Sequence, residues 1–239
     1  MQEPRPFLIG GQWRHGEPLV PVNNPFTGKL LAEVSSASSV DAEAAIQSTV
    51  DAAAAMKALP SHARYHALQK IAGGIYDRRE EFARLMTAEA GKPITDAKRE
   101  VNRAVQTFTI AAEEAKRIPG EVIPLDWTPG TDSHLGILRR VPIGPVLGIT
   151  PFNFPLNLVA HKVAPALAAG NSILIKPAPQ TPLTALLLGE VVLEAGLPPG
   201  ALNIMPCDNK LAEQLVVDPR FKLLSFTGSA AVGWMLKAK

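Results

Sequence analysis

A carboxamide stands where an apolar run gives way to a helical pattern. Residues 144–149 lead into Thr150-Pro151-Phe152-Asn153-Phe154-Pro155, and the helical pattern begins near Pro155. Between a strand end and a helix start, the NH₂ of Asn153 can donate to an oxygen that gains negative charge during a reaction. Asparagine is also a favoured helix cap, and spacing alone leaves the two roles equally open. Lys176 follows the strand-like run 172–175 and precedes Pro177, which leaves an ammonium at a sheet rim; an ordinary surface lysine has the same sequence surroundings. Thr227-Gly228-Ser229 joins another strand to another helix. Backbone N–H groups and the helix dipole there favour a phosphate, and glycine permits its close approach. On its own, Ser229 reads as a plain N-terminal helix residue. The single cysteine, Cys207, ends a further strand after Met205-Pro206 with no evident base nearby. It therefore reads as structural or incidental rather than as a nucleophile.

These residues share one type of position. The second half of the chain alternates strand-like runs at 146–149, 172–175, 201–205 and 222–226 with helix-like runs that end near 169, 195 and 217, and a last helix follows. Such alternation predicts a parallel sheet covered by helices. Ligands of open parallel sheets bind beyond the carboxyl ends of the strands. Four such ends gather an amide, an ammonium and a hydroxyl beside glycine on one rim. No Gly-x-Gly-x-x-Gly follows any strand, so by motif this is not the ordinary dinucleotide fold. Thr181 before Pro182 predicts a capped helix start with proline at the first helical position.

The first half reads as scaffold. Apolar runs at 7–13, 17–22 and 29–34, separated by Gly10-Gly11, His15-Gly16 and Asn23-Asn24-Pro25, predict a small antiparallel meander. Ser39 is a candidate cap for a helix to about residue 58, and helices follow from Ser61, over 79–90 with Gly91 as its stop, and on to about residue 118. In the last of these, Ala97, Val101, Ala104, Val105, Phe108, Ala111, Ala112 and Ala115 recur at helical spacing. Residues 119–142, bracketed by Pro119-Gly120 and carrying a Thr128-Pro129-Gly130 turn, read as a protruding β-hairpin. Two strands alone are marginal in water, which argues for pairing with another subunit or another part of the protein, against packing on the hairpin's own domain. The division expected is 1–118 as the N-terminal part of a cofactor-binding domain, 119–142 as the hairpin, and 143–239 as an incomplete cofactor-binding core.

Composition narrows the function classes. With 239 residues, 46% hydrophobic and 19% charged, the chain has the make-up of a globular protein with a sizeable core. A net charge of +2 without a basic stripe argues against nucleic-acid and membrane partners. The opening residues 1–6 lack the apolar core of a secretion signal, and no apolar run reaches membrane-spanning length, so the expected compartment is the cytoplasm. One cysteine rules out an internal disulfide and agrees with a reducing environment. The five histidines, His15, His62, His66, His134 and His161, show no supported ligand spacing, and no metal site is assigned.

Taken together, the stretch from Pro142 to Pro155, Ala164-Pro165-Ala166-Leu167-Ala168-Ala169-Gly170-Asn171, Lys176-Pro177, Gln180-Thr181-Pro182 and Phe226-Thr227-Gly228-Ser229 resemble the aldehyde dehydrogenase superfamily in order and spacing, most specifically over 139–233. The resemblance implies an α/β fold with a Rossmann-like parallel sheet and flanking helices. It further implies oxidation of an aldehyde by NAD or NADP through a thiohemiacetal and thioester on cysteine. Asn153 would support the oxyanion together with a backbone amide of the nucleophile. Ile149, Thr150, Pro151, Phe152 and Lys176 would line the adenosine and nicotinamide path, Gly228 and Ser229 would face the pyrophosphate, and residues 119–142 would be the oligomerisation hairpin of a homo-oligomer.

The departures carry equal weight. The family's general-base glutamate and nucleophilic cysteine lie downstream of the Phe-Thr-Gly-Ser motif, beyond Lys239, and Cys207 stands where the family pattern has a glycine after Pro206. The chain therefore reads as the amino-terminal portion of an aldehyde dehydrogenase, inactive by itself. The other reading is a non-catalytic nucleotide-binding or oligomerisation module. Pro179 occupies a position where many NAD-preferring relatives carry glutamate, which points to acceptance of NADP, whereas the acidic side chain of the Cys207-Asp208 turn would disfavour the added phosphate. The aldehyde itself is not legible.

Overall fold

The computed structural model describes residues 3–239; Met1 and Gln2, part of the opening segment read above, lie outside them. The elements run in the order β1 (Phe7–Ile9), β2 (Gln12–Arg14), β3 (Leu19–Asn23), β4 (Leu30–Ser35), α1 (Ser39–Ala58), α2 (Ser61–Asp77), α3 (Arg79–Ala90), α4 (Ile94–Ala115), β5 (Glu121–Pro124) and β6 (Leu135–Leu138). There follow β7 (Val146–Ile149), α5 (Asn157–Ala168), β8 (Ile173–Lys176), α6 (Leu183–Glu194), β9 (Leu202–Ile204), α7 (Asn209–Val216), β10 (Leu223–Phe226) and α8 (Ala230–Lys237).

A six-stranded sheet of order β10-β7-β8-β9-β1-β2 forms the centre. Its strands β10, β7, β8 and β9 are parallel, as the alternating pattern requires, with Ile149 opposite both Phe226 and Lys176. The middle strands are almost wholly buried and mostly apolar, Asn203 and Lys176 being the exceptions, since helices cover both faces.

The expected single meander is not what the first strands form. β1 pairs with β2 across Gly10-Gly11 and also hydrogen-bonds antiparallel to β9, so this hairpin extends the large sheet, while β3 and β4 form a ribbon of their own. The reason lies in β1: Phe7, Leu8 and Ile9 are all buried, which suits a strand covered on both faces rather than one side of a small ribbon. Asn203 of β9 fastens the hairpin turn, accepting from Gly10 N at 2.7 Å and donating to Thr49 Oγ1 of α1 at 2.9 Å.

The apolar stripe of α4 is buried as its spacing predicts, and α4 packs against α2, α3 and α5. Gly91 closes α3 in the left-handed conformation (φ 66°), as expected for a glycine stop. Other helix ends differ from their local signals. Ser38, not Ser39, caps α1, in a capping box with Asp41. Thr181 does not cap α6: its hydroxyl is buried without a partner, and the amides of Leu183 and Thr184 donate instead to Glu89 of α3, at 2.9 Å each.

Burial pushes the Glu89 carboxyl up to about 7 from 4.5, while hydrogen bonds from Thr184 and Leu183 pull the other way. Because the folded value is the higher one, the folded chain holds an extra proton between those pH values. The residue's contribution to stability is full below pH 4.5 and is lost as pH rises through 7. Urea unfolding at pH 5 and pH 8 tests this. Relative to Glu89→Gln, which cannot titrate, the wild-type chain is expected to lose on the order of 2–3 kcal/mol between the two conditions.

Candidate functional site

The chain crosses from β7 to β8 to β9 in one direction, then returns so that β10 lies on the other side of β7. The connections leaving β7 and β10 therefore diverge at the carboxyl edge, the place where open α/β sheets hold ligands. A cleft of about 360 Å³ opens there, and it is lined by Ile149, Thr150, Pro151, Phe152, Lys176, Gly228 and Ser229 among others. All seven residues expected at a cofactor site thus share one cavity. The strand ends are fastened across it: Thr150 N donates to Lys176 O and Thr227 N to Ile149 O, both at 3.2 Å. A larger cavity of about 630 Å³ lies beside the β3–β4 ribbon, bordered by Pro179, Cys207 and Asn209, but includes neither Lys176 nor the Gly228 turn.

Lys176 is the last residue of β8 and only 4% exposed, so it is not a surface lysine. Its Nζ donates to Asn209 Oδ1 at 3.2 Å. Burial lowers its pKa, with the acidic groups of Cys207 and Asp208 acting in the opposite direction. At the opposite wall Ser229 is the N-cap of α8, its Oγ accepting from Val232 N at 3.4 Å. A Cβ on Gly228 would stand 2.4 Å from the Phe226 ring, so the turn admits only glycine without displacing that ring. A buried ammonium facing a helix start across a cleft fits a phosphate-bearing dinucleotide: the cation and the free amides of the first turn of α8 are both anion-binding groups.

Asn153 stands next to Phe152 but outside the cleft lining, with its side chain exposed. It does not cap α5, whose N-cap is Leu156 without any side-chain hydrogen bond. The amides of Leu156 and Asn157 instead donate to Glu100 Oε1 of α4, at 3.0 Å each. The carboxamide is therefore not committed to its own helix, whereas its backbone carbonyl accepts from Lys92 Nζ at 2.9 Å.

Lys162 was not anticipated from sequence. Lys162 of α5 is 5% exposed, donates to Thr227 Oγ1 at 2.8 Å, and has its pKa pushed down to about 8 by burial. Its sequence signal was a lone lysine in an otherwise apolar helix, and its depth beneath the β10–α8 turn depends on the packing of α5 against the sheet. Asp208, next to Cys207, is the N-cap of α7 and accepts from Leu211 N at 2.7 Å, while its charge also acts on Lys176.

A mostly parallel sheet with a cleft at the reversal of its strand order defines a doubly wound α/β protein. The sequence matches the aldehyde dehydrogenase family over residues 13–239, and the chain belongs to that family. It is 41% identical over 235 residues to 3-sulfolactaldehyde dehydrogenase of Priestia aryabhattai, which covers 98% of this chain and 49% of that protein. Among solved structures it is similar to aldehyde dehydrogenase 21 of Physcomitrella patens in complex with the reaction product succinate, with TM-score 0.95 and 44% identity over 99% of this chain and 50% of that one. The NADP-dependent glyceraldehyde-3-phosphate dehydrogenase of Bacillus halodurans C-125, complexed with NADP, matches with TM-score 0.95 and 31% identity over 100% and 51%. The chain spans about half the length of these relatives.

Cys207 is 5% exposed, and burial pushes its thiol up to about 12, against the pull of the Lys176 charge. At pH 8 its thiolate fraction is then about three orders of magnitude below that of a free cysteine, since the thiolate is the reactive form. Labelling with a disulfide reagent at pH 8 should accordingly be at least 10²-fold slower in the native chain than in urea. Equal rates would show that the thiol is open.

Proposed function

We propose that this chain is the cofactor-binding and oxyanion-donating part of an NAD(P)-dependent aldehyde dehydrogenase that oxidises an aldehyde to a carboxylic acid. The observation that carries the reading is the single cleft shared by Lys176, the ends of β7 and β10, and the Gly228-Ser229 turn, with the uncommitted Asn153 amide beside it. In this reading Lys176 and the first amides of α8 hold the anionic and ribose parts of the dinucleotide, and the apolar Ile149, Pro151 and Phe152 line its path. A dinucleotide held by these residues would supply the hydride acceptor, taking up one proton and two electrons. Asn153 donates to the substrate oxygen as negative charge builds on it, the stage at which a donor contributes most.

Covalent catalysis needs a thiolate beside a base, and the buried, high-pKa Cys207 is a poor candidate for it. The nucleophile and base belong, on this reading, to protein sequence beyond Lys239. The exposed apolar side chains of the β5–β6 hairpin, Val122, Trp127, Leu135 and Ile137 at 64–75% exposure, support pairing with another copy in a homo-oligomer. Their exposure also favours a second reading, in which the chain serves as an oligomerisation module without chemistry. The three relatives described above are named for aldehydes or products that carry a sulfonate, a carboxylate or a phosphate, which favours a short anionic aldehyde as substrate.

Pro179 lines the cleft one turn from Lys176 and offers no carboxylate to repel a ribose 2′-phosphate. Asp208 caps α7 and Glu213 of the same cleft pairs with Lys239, which leaves Lys176 as the group that can attract the added phosphate.

Three outcomes are expected. The 239-residue chain alone forms no NADH or NADPH with a panel of short aldehydes, and steady turnover would overturn this assignment. In the full-length enzyme, Asn153→Ala lowers kcat on the order of 10²–10³-fold with cofactor KM little changed; weakened cofactor binding as the main effect would count against the oxyanion role. The ratio of kcat/KM for NADP to that for NAD is at least one in the wild type and shifts toward NAD in Pro179→Glu. A strong wild-type preference for NAD, or no shift in the variant, would sink the cofactor assignment.

A further inference from the structure

We propose that Lys92, held by Glu100, is a positioning residue for the Asn153 carboxamide, an inference that rests on the oxyanion role proposed for Asn153. The loop between β7 and α5 has no regular hydrogen-bonded structure at Asn153, so its geometry depends on outside anchors. Two anchors grip the backbone, one at Asn153 itself and one at the start of α5. Lys92 Nζ donates to the Asn153 carbonyl at 2.9 Å, and Glu100 Oε1 accepts from the amides of Leu156 and Asn157 at 3.0 Å each. The second carboxylate oxygen of Glu100 accepts from the same Lys92 Nζ, so one ion pair joins the two anchors.

The pair is shielded from water, with Glu100 1% and Lys92 13% exposed at the side chain. Lys92 also lies 3.9 Å from the centroid of the Phe154 ring, the residue immediately after Asn153. An ammonium has three donors and no acceptor; here they meet a carbonyl, a carboxylate and a ring face. Two of these contacts are to the backbone of Asn153 and to its neighbour Phe154, the third is to the other anchor, Glu100, and Asn153 itself stays exposed.

Lys92 itself is placed by a rigid turn. Gly91 ends α3 in the left-handed region, and Pro93 leads into α4, which returns Glu100 to the same side two turns later. A catalytic group displaced by about 1 Å loses on the order of 10²-fold in rate, so a device that fixes the Asn153 backbone acts on kcat rather than on cofactor binding.

The test is a double-mutant cycle in the full-length enzyme. Lys92→Met is expected to lower kcat by roughly 10–100-fold with cofactor KM unchanged, Lys92→Arg to recover most of the loss, and Lys92→Met to add nothing further in an Asn153→Ala background. A loss that persists in full in that background, or a normal kcat in Lys92→Met where Asn153→Ala is impaired, overturns the inference. A normal kcat in Asn153→Ala overturns the oxyanion reading first, and this inference with it. Should Lys92→Met fail to fold, Lys92→Gln, which retains a donor for the Asn153 carbonyl, replaces it and is expected to fall between wild type and Asn153→Ala; a kcat at either extreme outside that interval counts against the proposal.

Discussion

Two buried carboxylates tie the helices that follow β7 and β8 to the helical layer behind them. A helix start leaves its first amides without intrahelical partners, and burying such an amide unpaired costs about 1–3 kcal/mol. Glu100 takes the amides of Leu156 and Asn157 at the start of α5, and Glu89 those of Leu183 and Thr184 at the start of α6. A negative charge at a helix N-terminus is also favoured by the dipole. Neither α5 nor α6 has a side-chain cap of its own, so both starts depend on α3 and α4 being in place.

The two carboxylates differ in how their charge is balanced. Glu100 has the Lys92 ammonium, and breaking a buried pair of this kind by removing one partner costs about 3–5 kcal/mol. Glu89 relies on the hydroxyl and amide of Thr184 and the amide of Leu183, and the nearby charge of Glu100 adds to its preference for the proton. The lysine is therefore placed where the loop carrying Asn153 runs into α5, and Glu89 at the start of α6 has no cation of its own among the described residues. The helical first half, which contributes no side chain to the cleft, decides how firmly the cleft's neighbour is held.

The cleft follows from topology more than from any local motif. Because β10 returns to the far side of β7, the Thr150 to Phe152 segment and the Gly228-Ser229 turn become opposite walls, although nearly eighty positions separate them in the chain. The β8 end, on the other side of β7, supplies Lys176, its ammonium tethered to Asn209. No glycine fingerprint is needed when the close approach is provided by one glycine, Gly228, packed on Phe226.

Local signals in the sequence determined the elements and their order: the helical stripe of α4, the glycine stop of α3, the alternation that requires a parallel sheet, and therefore which residues end the strands. That was sufficient to bring Ile149, Thr150, Pro151, Phe152, Lys176, Gly228 and Ser229 to one rim, since a parallel sheet sends every carboxyl end the same way. Only the tertiary structure decided who caps whom. Asn153 and Thr181 carry the local marks of caps, yet the caps are glutamates 56 and 94 residues upstream of the amides they hold. It likewise decided that β1 joins the main sheet through β9, that Lys162 is buried beneath Thr227, and that Lys92 reaches the Asn153 carbonyl. The physical reason is the same in each case: a periodic pattern or a turn is encoded by neighbours in the chain, whereas the partner of a buried polar group is set by whichever donor or acceptor packing brings within 3 Å, and that has no signature in either stretch alone.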